Sequence, residues 1–363
     1  MGRRALSARP LTAYNAPVTD APLPAPILSV IVPVRNEKGY LRATLESILA
    51  DAPGGGLEVI VIDGMSDDGT AAEARAMAAA DSRIKVLDNP TRFVPRAMNL
   101  GIAAASAPFI GRIDGHCLVV PGYFEGCLAR LREGSWDCVG GAWTNEGRTQ
   151  VGRAVAAATS SPIGVGSARY KTGTGGETEV DTLSFGVYRR EVFDRIGTFD
   201  EAFIRNQDDE LNLRLTRAGG KILLVPTLRI RYFVRDSIRM LARQYYQYGY
   251  WKWRVFRKHG RFASLRHVAP SAFLLALAAS AASAAFLPAG KVAFGLVTLP
   301  YLAVILGESL RLSANHKAPA GFVALALMTL HFSYGSGLLR AILDALLRGE
   351  RTATKTAPTT LSR

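Results

Sequence analysis

The sequence predicts an α/β fold with a mostly parallel, mixed sheet, followed by C-terminal membrane helices. Three observations predict it. Short, continuous apolar runs rich in β-branched residues alternate with helically spaced segments over the first 115 residues. Two of those runs end in acidic clusters, Asp63 to Asp68 and Asp114-Gly115-His116. Uncharged apolar stretches concentrate after residue 267. Continuous apolar runs fit parallel strands covered on both faces, and strand–helix alternation is the pattern of a parallel sheet.

Ile27 to Val34 forms the first strand, ended by Arg35-Asn36-Glu37. Leu41, Leu45, Ile48 and Leu49 recur at helical spacing. Leu57 to Ile62 is the second strand. An Ala-rich helix around 70–80, a third strand at Ile84 to Leu87, a helix from Pro95 to Ala105 and a strand over 109–113 follow. Gly164, Gly166, Gly173, Gly175 and Gly176 then stud a loop-like stretch between Ser160 and Glu179. Thr182 to Tyr188 reads as a strand and Arg189 to Ile196 as a short helix. Gln207-Asp208-Asp209-Glu210 opens a helix carried by Leu211, Leu213 and Leu215.

The domain organisation expected is a flexible Pro-rich leader over 1–26, the α/β domain over 27–235 and a basic aromatic interfacial segment over 236–267. Two or three membrane helices over 268–342 and a polar tail over 343–363 complete it. From Arg235 to His267 the chain carries nine Lys or Arg and one acid, within a formal net charge of +14. Such a cluster beside apolar spans reads as an anchor on anionic membrane lipids, with Tyr and Trp at headgroup level. No groove-reading motif accompanies the charge, so nucleic acid is not the expected partner. Val268 to Gly290 is 23 residues without a formal charge, long enough to cross a bilayer. Val292 to Gly307 is shorter and holds Pro300, and Ala318 to Leu339 is uncharged apart from His331. Arg257, Lys258, Arg261 and Arg266 place the start of the first span in the cytosol. Arg340, Arg348 and Arg351 conflict with that for three true crossings and agree if one segment is re-entrant or interfacial. Cys117, Cys127 and Cys138 lack CxxC spacing and fit a reducing compartment.

Ligands of open α/β sheets sit beyond the carboxyl ends of the strands, so the acidic clusters point to a nucleotide with a diphosphate. Asp63 could accept from a base N–H or serve as a turn residue or helix cap, and Glu37 is placed for the ribose. Asp114 and His116 bracket one residue and point the same way in extended geometry. They are candidate ligands for a divalent metal, Mn²⁺ or Mg²⁺, and the imidazole favours Mn²⁺; the alternative is a packed histidine. The acids Asp208 to Glu210 would raise a shared pKa by like-charge repulsion. As helix N-terminal charge they would instead stabilise the macrodipole by about 0.3–1 kcal/mol.

Taken together, these motifs resemble family 2 (GT-A) inverting glycosyltransferases over roughly residues 27–250. Val30 to Glu37 is similar to the family's opening strand, and Asp63-Gly64-Met65-Ser66-Asp67-Asp68-Gly69-Thr70 to its Asp-Asp-Gly-Ser-Thr-Asp-Gly-Thr turn, with Gly64 replacing the second Asp. Arg96-Ala97-Met98-Asn99-Leu100-Gly101 resembles the Ala-Arg-Asn-x-Gly helix. Asp114-Gly115-His116 stands at the DxD position, and Gln207 to Leu211 resembles Glu-Asp-x-Asp-Leu. The His variant and Ser161 to Gly166 look most like the ExoA-like succinoglycan biosynthesis branch.

The resemblance implies a nucleotide-sugar donor, UDP-linked, and a polyprenyl-diphosphate-linked saccharide acceptor. It implies Asp208 as catalytic base and Asp114 with His116 at the metal. Substrate contacts are expected from Pro33, Arg35, Glu37, Asp63, Arg96, Asn99, Asp114, Asp181, Gln207, Asp209 and Gln244. The location implied is the cytoplasmic face of a bacterial inner membrane. Gln244 to Trp253 only loosely resembles the Gln-x-x-Arg-Trp segment of polymerising relatives, with Gln247 where Arg would stand. A processive polysaccharide synthase, a non-catalytic nucleotide-binding scaffold and a sugar-nucleotide pyrophosphorylase are the rival readings.

Overall fold

A computed structural model describes residues 25–166, 168–173, 175–260 and 267–348. The expected leader lies almost wholly outside these residues, as do Arg261, Arg266 and the end of the polar tail. The chain begins β1 (Leu28–Val34), α1 (Leu41–Ala50), β2 (Leu57–Asp63), α2 (Thr70–Ala80), β3 (Ile84–Asp88), α3 (Val94–Ala104) and β4 (Phe109–Arg112). It continues through β5 (Cys117–Val119), α4 (Tyr123–Arg132), β6 (Cys138–Glu146), α5 (Gln150–Thr159), α6 (Pro162–Val165), α7 (Arg169–Thr172) and β7 (Thr178–Glu179). Then come β8 (Val187–Arg189), α8 (Arg190–Ile196), α9 (Gln207–Arg217) and β9 (Ile222–Phe233). Four helices close the chain: α10 (Ile238–His259), α11 (Ala269–Ala284), α12 (Pro288–His316) and α13 (Ala320–Arg348).

The strands form one nine-stranded sheet in the order β3-β2-β1-β4-β8-β6-β9-β5, with β7 against β9. β3, β2, β1 and β4 are parallel, β8 runs antiparallel to both β4 and β6, and β6 and β9 are parallel. Every residue of β1 and β2 is buried, as strands covered on both faces require. Alternation divides their side chains between two cores. Leu28, Val30, Val32 and Val34 enter one; Ile31, Ile60 and Ile62 enter the other. The chain runs outward from β1 through β2 to β3 and returns to lay β4 on the other side of β1. That reversal opens a crevice at the carboxyl ends of β1 and β4, where ligands bind in sheets of this kind.

Three expectations need correction. The strand expected over 182–188 shrinks to β8, because Asn212 on α9 bonds Thr182 Oγ1 and Leu183 carbonyl and holds that stretch off the ladder. The long strands β6 and β9 were not anticipated; their mixed polar pattern, with Pro226 inside β9, disguises them. The apolar run 268–290 is not one span. Pro288, whose fixed φ and missing N–H suit a helix start, ends it and opens α12. The first helix is therefore 16 residues, about 24 Å at 1.5 Å per residue, against a bilayer core of about 30 Å. The shorter run from Val292 to Gly307 becomes part of the 29-residue α12, which runs through Pro300. Among the described residues, α12 and α13 are the helices long and apolar enough to cross a membrane.

The helix α10 lies against α13 along a crossing that only small residues allow. A Cβ at Gly249 would stand 2.0 Å from the Tyr334 carbonyl oxygen, and one at Gly337 would stand 2.1 Å from that of Tyr246. Buried Tyr250 adds a hydrogen bond from its hydroxyl to Asp344. Gly337→Val must push the two backbones apart, and overpacking of this kind typically costs about 1–3 kcal/mol. A lowered midpoint in a thermal scan of the detergent-solubilised protein is the expected result; an unchanged midpoint would mean that the helices do not cross this closely.

Candidate active site

The crevice between β1 and β4 opens into a cavity of about 600 Å³. Val34 at the end of β1 feeds Arg35 and Glu37 into it, and Arg112 at the end of β4 feeds Asp114 and His116. The turn between these last two needs Gly115, since a Cβ there would stand 2.7 Å from Val34 Cγ1. Asp208 and Asp209, at the start of α9, close the opposite wall. The lining then continues along α10 and reaches Phe273 on α11, Tyr301 on α12 and His331 on α13.

A buried arginine holds the two acidic walls together. Arg112 is 7% exposed, and its guanidinium contacts Asp114 Oδ1 at 2.9 Å. It also lies within electrostatic reach of Asp208. Burial alone would lower its pKa, but the two carboxylates hold it above the ordinary range. Asp208 behaves oppositely. Burial and the neighbouring Asp209 charge push its carboxyl up, against Arg112 and a 2.8 Å hydrogen bond donated by Ser184 Oγ. Asp209 is also desolvated, yet the Lys252 ammonium bonded to its Oδ2 brings it down to about 2. Of these adjacent acids, Asp209 is therefore committed to charge and Asp208 is the one able to exchange a proton.

His116 is 6% exposed and sits 2.9 Å, through Nδ1, from Glu37 Oε1. With the proton on Nδ1 the ring donates to Glu37, and its buried Nε2, which has no partner, presents a lone pair. A carboxylate on the far nitrogen is how metal-ligating histidines are oriented. Among the described residues, the hydrogen bonds to the Asp114 carboxylate fall on Oδ1 and leave Oδ2 without one. The donor set therefore fits a divalent cation, but only in part. Among the described residues no group of three or more His, Cys, Asp or Glu side chains could hold a metal, so the remaining positions would belong to the substrate and water.

The structure brings together Pro33, Arg35, Glu37, Asp114, His116, Gln207, Asp208, Asp209 and Gln244 on one cavity. It does not bring in the others. Asp63 is 2% exposed; its Oδ2 accepts from the Ser66 N–H at 3.0 Å, as a turn residue would, while Oδ1 is buried without a partner. Its neighbours Ile62 and Gly64 reach the cavity, and Asp63 does not. Arg96 pairs with Glu201 at 3.1 Å, and Asn99 clasps the backbone of Phe199 through both ends of its amide. Both fasten the loop before α9 and lie off the cavity, as does Asp181. Glu37, expected at the ribose, spends its carboxylate on His116.

Sequence reasoning missed Arg112, Arg205, Lys171 and Lys252, all on the cavity wall. Arg112 was detectable as a charge inside an apolar strand. The other three come from segments far apart in the chain, and only folding makes them neighbours.

Removing one partner of a buried ion pair typically costs about 3–5 kcal/mol. Arg112→Met, which strands Asp114 and Asp208, is expected to lose that much in unfolding free energy. Asp114→Asn should lose less, because Asp208 still faces the guanidinium. Equal losses in denaturant titrations would show that Asp208 does not share the cation.

The model of glycosyl transferase family 2 matches residues 29–197. Succinoglycan biosynthesis protein ExoA of Rhizobium meliloti (strain 1021) is 30% identical over 323 residues, covering 87% of this chain and 94% of that protein. The dolichyl N-acetyl-alpha-D-glucosaminyl phosphate 3-beta-D-2,3-diacetamido-2,3-dideoxy-beta-D-glucuronosyltransferase of Methanococcus voltae is 25% identical over 328 residues, 86% of this chain and 97% of that one. Among solved structures, the mannosyltransferase PcManGT from Pyrobaculum calidifontis, in complex with GDP-Man and Mn²⁺, superimposes with a TM-score of 0.57. It is 20% identical and covers 93% of this chain and 92% of its own, a likeness of fold. With a relative at that identity along nearly its whole length, this chain belongs to glycosyl transferase family 2 and is a glycosyltransferase of polysaccharide or glycan synthesis.

Proposed function

We propose that the chain is a membrane-anchored, inverting glycosyltransferase. It moves a sugar from a nucleotide sugar, UDP-linked, to a hydroxyl of a lipid-linked saccharide in exopolysaccharide or cell-surface glycan synthesis. One observation carries this reading: a single cavity runs from the carboxyl edge of the sheet to the apolar helices α11–α13. A soluble acceptor would not need a site that ends among Phe273, Tyr301 and Leu330. Membrane anchoring is supported by the bare apolar surface of α12, where Leu296, Leu299 and Leu306 are 71%, 67% and 60% exposed. Patches of that kind mark membrane or partner contacts. The basic aromatic α10 fits the cytoplasmic face of a bacterial inner membrane.

In this mechanism the donor diphosphate lies beyond β1 and β4. Asp114 and His116 would hold a divalent cation there, Mn²⁺ or Mg²⁺, whose chemistry is Lewis-acid stabilisation of the departing nucleoside diphosphate. Glu37 keeps His116 in the tautomer that leaves Nε2 available. Asp208 takes the proton of the acceptor hydroxyl as that oxygen attacks the anomeric carbon, and a single displacement inverts the configuration. Ser184 orients the carboxylate, while Lys252 secures the charge on Asp209. Proton transfer is most effective when the base pKa approaches the working pH, which is the direction burial and Asp209 push Asp208. Gln247 supports single addition over processive synthesis: it holds Arg205 through a 3.0 Å hydrogen bond and does not supply the arginine of polymerising relatives.

The test is a screen of nucleotide sugars for Mn²⁺-dependent hydrolysis and transfer by detergent-purified protein. Asp208→Asn should lower kcat by about 10²–10⁴-fold with donor binding retained, and Asp114→Ala should weaken donor binding. Retained transfer by Asp208→Asn would remove this residue as the base, and loss of all donor binding by the wild type would remove the reading itself.

The pH profile supplies a second check. Asp208 acts only when charged, so activity should be full above its raised pKa and fall as pH drops through it. Lys252→Met leaves the Asp209 charge uncompensated and should move that acid limb to still higher pH. A limb that stays put or moves down would contradict the coupling.

A further inference from the structure

We propose that Lys171 is the phosphate-binding cation of the acceptor site, receiving the phosphate ester that joins the acceptor saccharide to its lipid. The inference rests on the glycosyltransferase reading for the identity of the ligand. Lys171, on the four-residue helix α7, is half-buried in the cavity wall. Its ammonium lies 5.5 Å from the ring centroid of Trp143, 5.8 Å from Tyr170, 5.7 Å from Tyr245 and 5.6 Å from Tyr248. Four aromatic faces attract a cation without neutralising it. No carboxylate pairs with Lys171 among the described residues. The cavity's other lysine, Lys252, is bonded to Asp209. A cation ringed by aromatic faces and paired with no carboxylate among the described residues is a ready partner for an anion.

Its position in the cavity says which anion. Trp143 and Tyr170 belong to the α/β domain, and Tyr245 and Tyr248 to α10, so Lys171 stands at the seam between them. On one side lies the reaction edge with Asp114 and Asp208. Trp143, which the ammonium overlies, stacks on Tyr232 at 4.8 Å and 18°, and Tyr232 meets the His116 ring at 5.1 Å, so an aromatic path joins Lys171 to that edge. On the other side the lining turns to Phe273, Tyr301 and Leu330 of the apolar helices. Arg205, half-buried and within electrostatic reach of the same Tyr248 and of Asp114, adds a second cation. Saccharide, phosphate and hydrocarbon follow one another along this path, which is the order of groups in a lipid-phosphate-linked sugar.

The experiment uses the full chain in detergent, saturated with UDP and Mn²⁺ so that the donor site is filled. Binding of farnesyl diphosphate, farnesyl phosphate and farnesol is followed by tryptophan fluorescence, which Trp143 reports. Farnesyl diphosphate should bind at least tenfold more tightly than farnesol. Lys171→Gln should weaken it at least tenfold, leaving farnesol and UDP binding as in the wild type, and Lys171→Arg should restore most of the loss. Equal binding of the two farnesyl phosphates would mean one phosphate contact, at Lys171; stronger binding of the diphosphate would add Arg205. Farnesol binding as tightly as farnesyl diphosphate, unchanged affinity in Lys171→Gln, or displacement by UDP would overturn the proposal. Absence of UDP binding by the wild type would instead overturn the glycosyltransferase reading, and the two failures are thereby separate.

Discussion

A single buried guanidinium balances the charge of this site. Arg112 pairs with Asp114 and lies within electrostatic reach of Asp208 on the opposite wall. Two carboxylates cannot both stay ionised in a desolvated wall without a nearby cation. Because Arg112 rises from the end of β4, the spacing of the two acidic walls is tied to the sheet itself. The rest of the site elaborates this arrangement. Glu37 sets the ring of His116 beside Asp114, and Lys252 fixes the charge of Asp209 so that the titrating proton belongs to Asp208.

The same cavity joins two environments that usually remain separate. Its inner end is a polar strand edge; its outer end is lined by helices whose apolar faces are bare. The connection between them is mechanical as well as spatial. Ser161 hydrogen-bonds Glu308 on α12, His331 on α13 bonds the carbonyl of Ile163 at 2.7 Å, and Gly249 and Gly337 let α10 and α13 touch backbone to backbone. The segment from Ser161 to Val165 is thus strapped to the apolar helices α12 and α13 while α7, which follows it, carries Lys171. Insertion of α12 and α13 in a bilayer would set the height of the acceptor wall above the membrane surface.

Much of the inner half of this architecture was legible in the chain. β1, β2 and the helix between them follow from apolar runs and helical spacing, because parallel strands covered on both faces leave a composition signal that needs no partner to be read. Asp114, His116 and Asp208 were identifiable by type and by position after strands or at a helix start. The outer half was less readable. β6 and β9 mix apolar, glycine and charged residues, since parts of them line the cavity or meet solvent, and that removes the period on which a strand is recognised. The apolar run 268–290 misled for a related reason: a charge-free stretch does not reveal where Pro288 will break it.

What the sequence by itself determined is the chemistry available and the local elements that carry it, because burial patterns and turn residues act over a few neighbours. Only the tertiary structure decided how those groups are used. Asp63 turned to its own loop, Arg96 and Asn99 became fasteners of the Phe199 loop, and Glu37 became the partner of His116. Lys171, Arg205 and Lys252 acquired their surroundings from long-range contacts, as Arg112, bonded to Asp114 two residues on, acquired Asp208. The physical reason is that a charge takes its function from the dielectric and the counter-charges around it, and those are supplied by chain segments tens to hundreds of residues away.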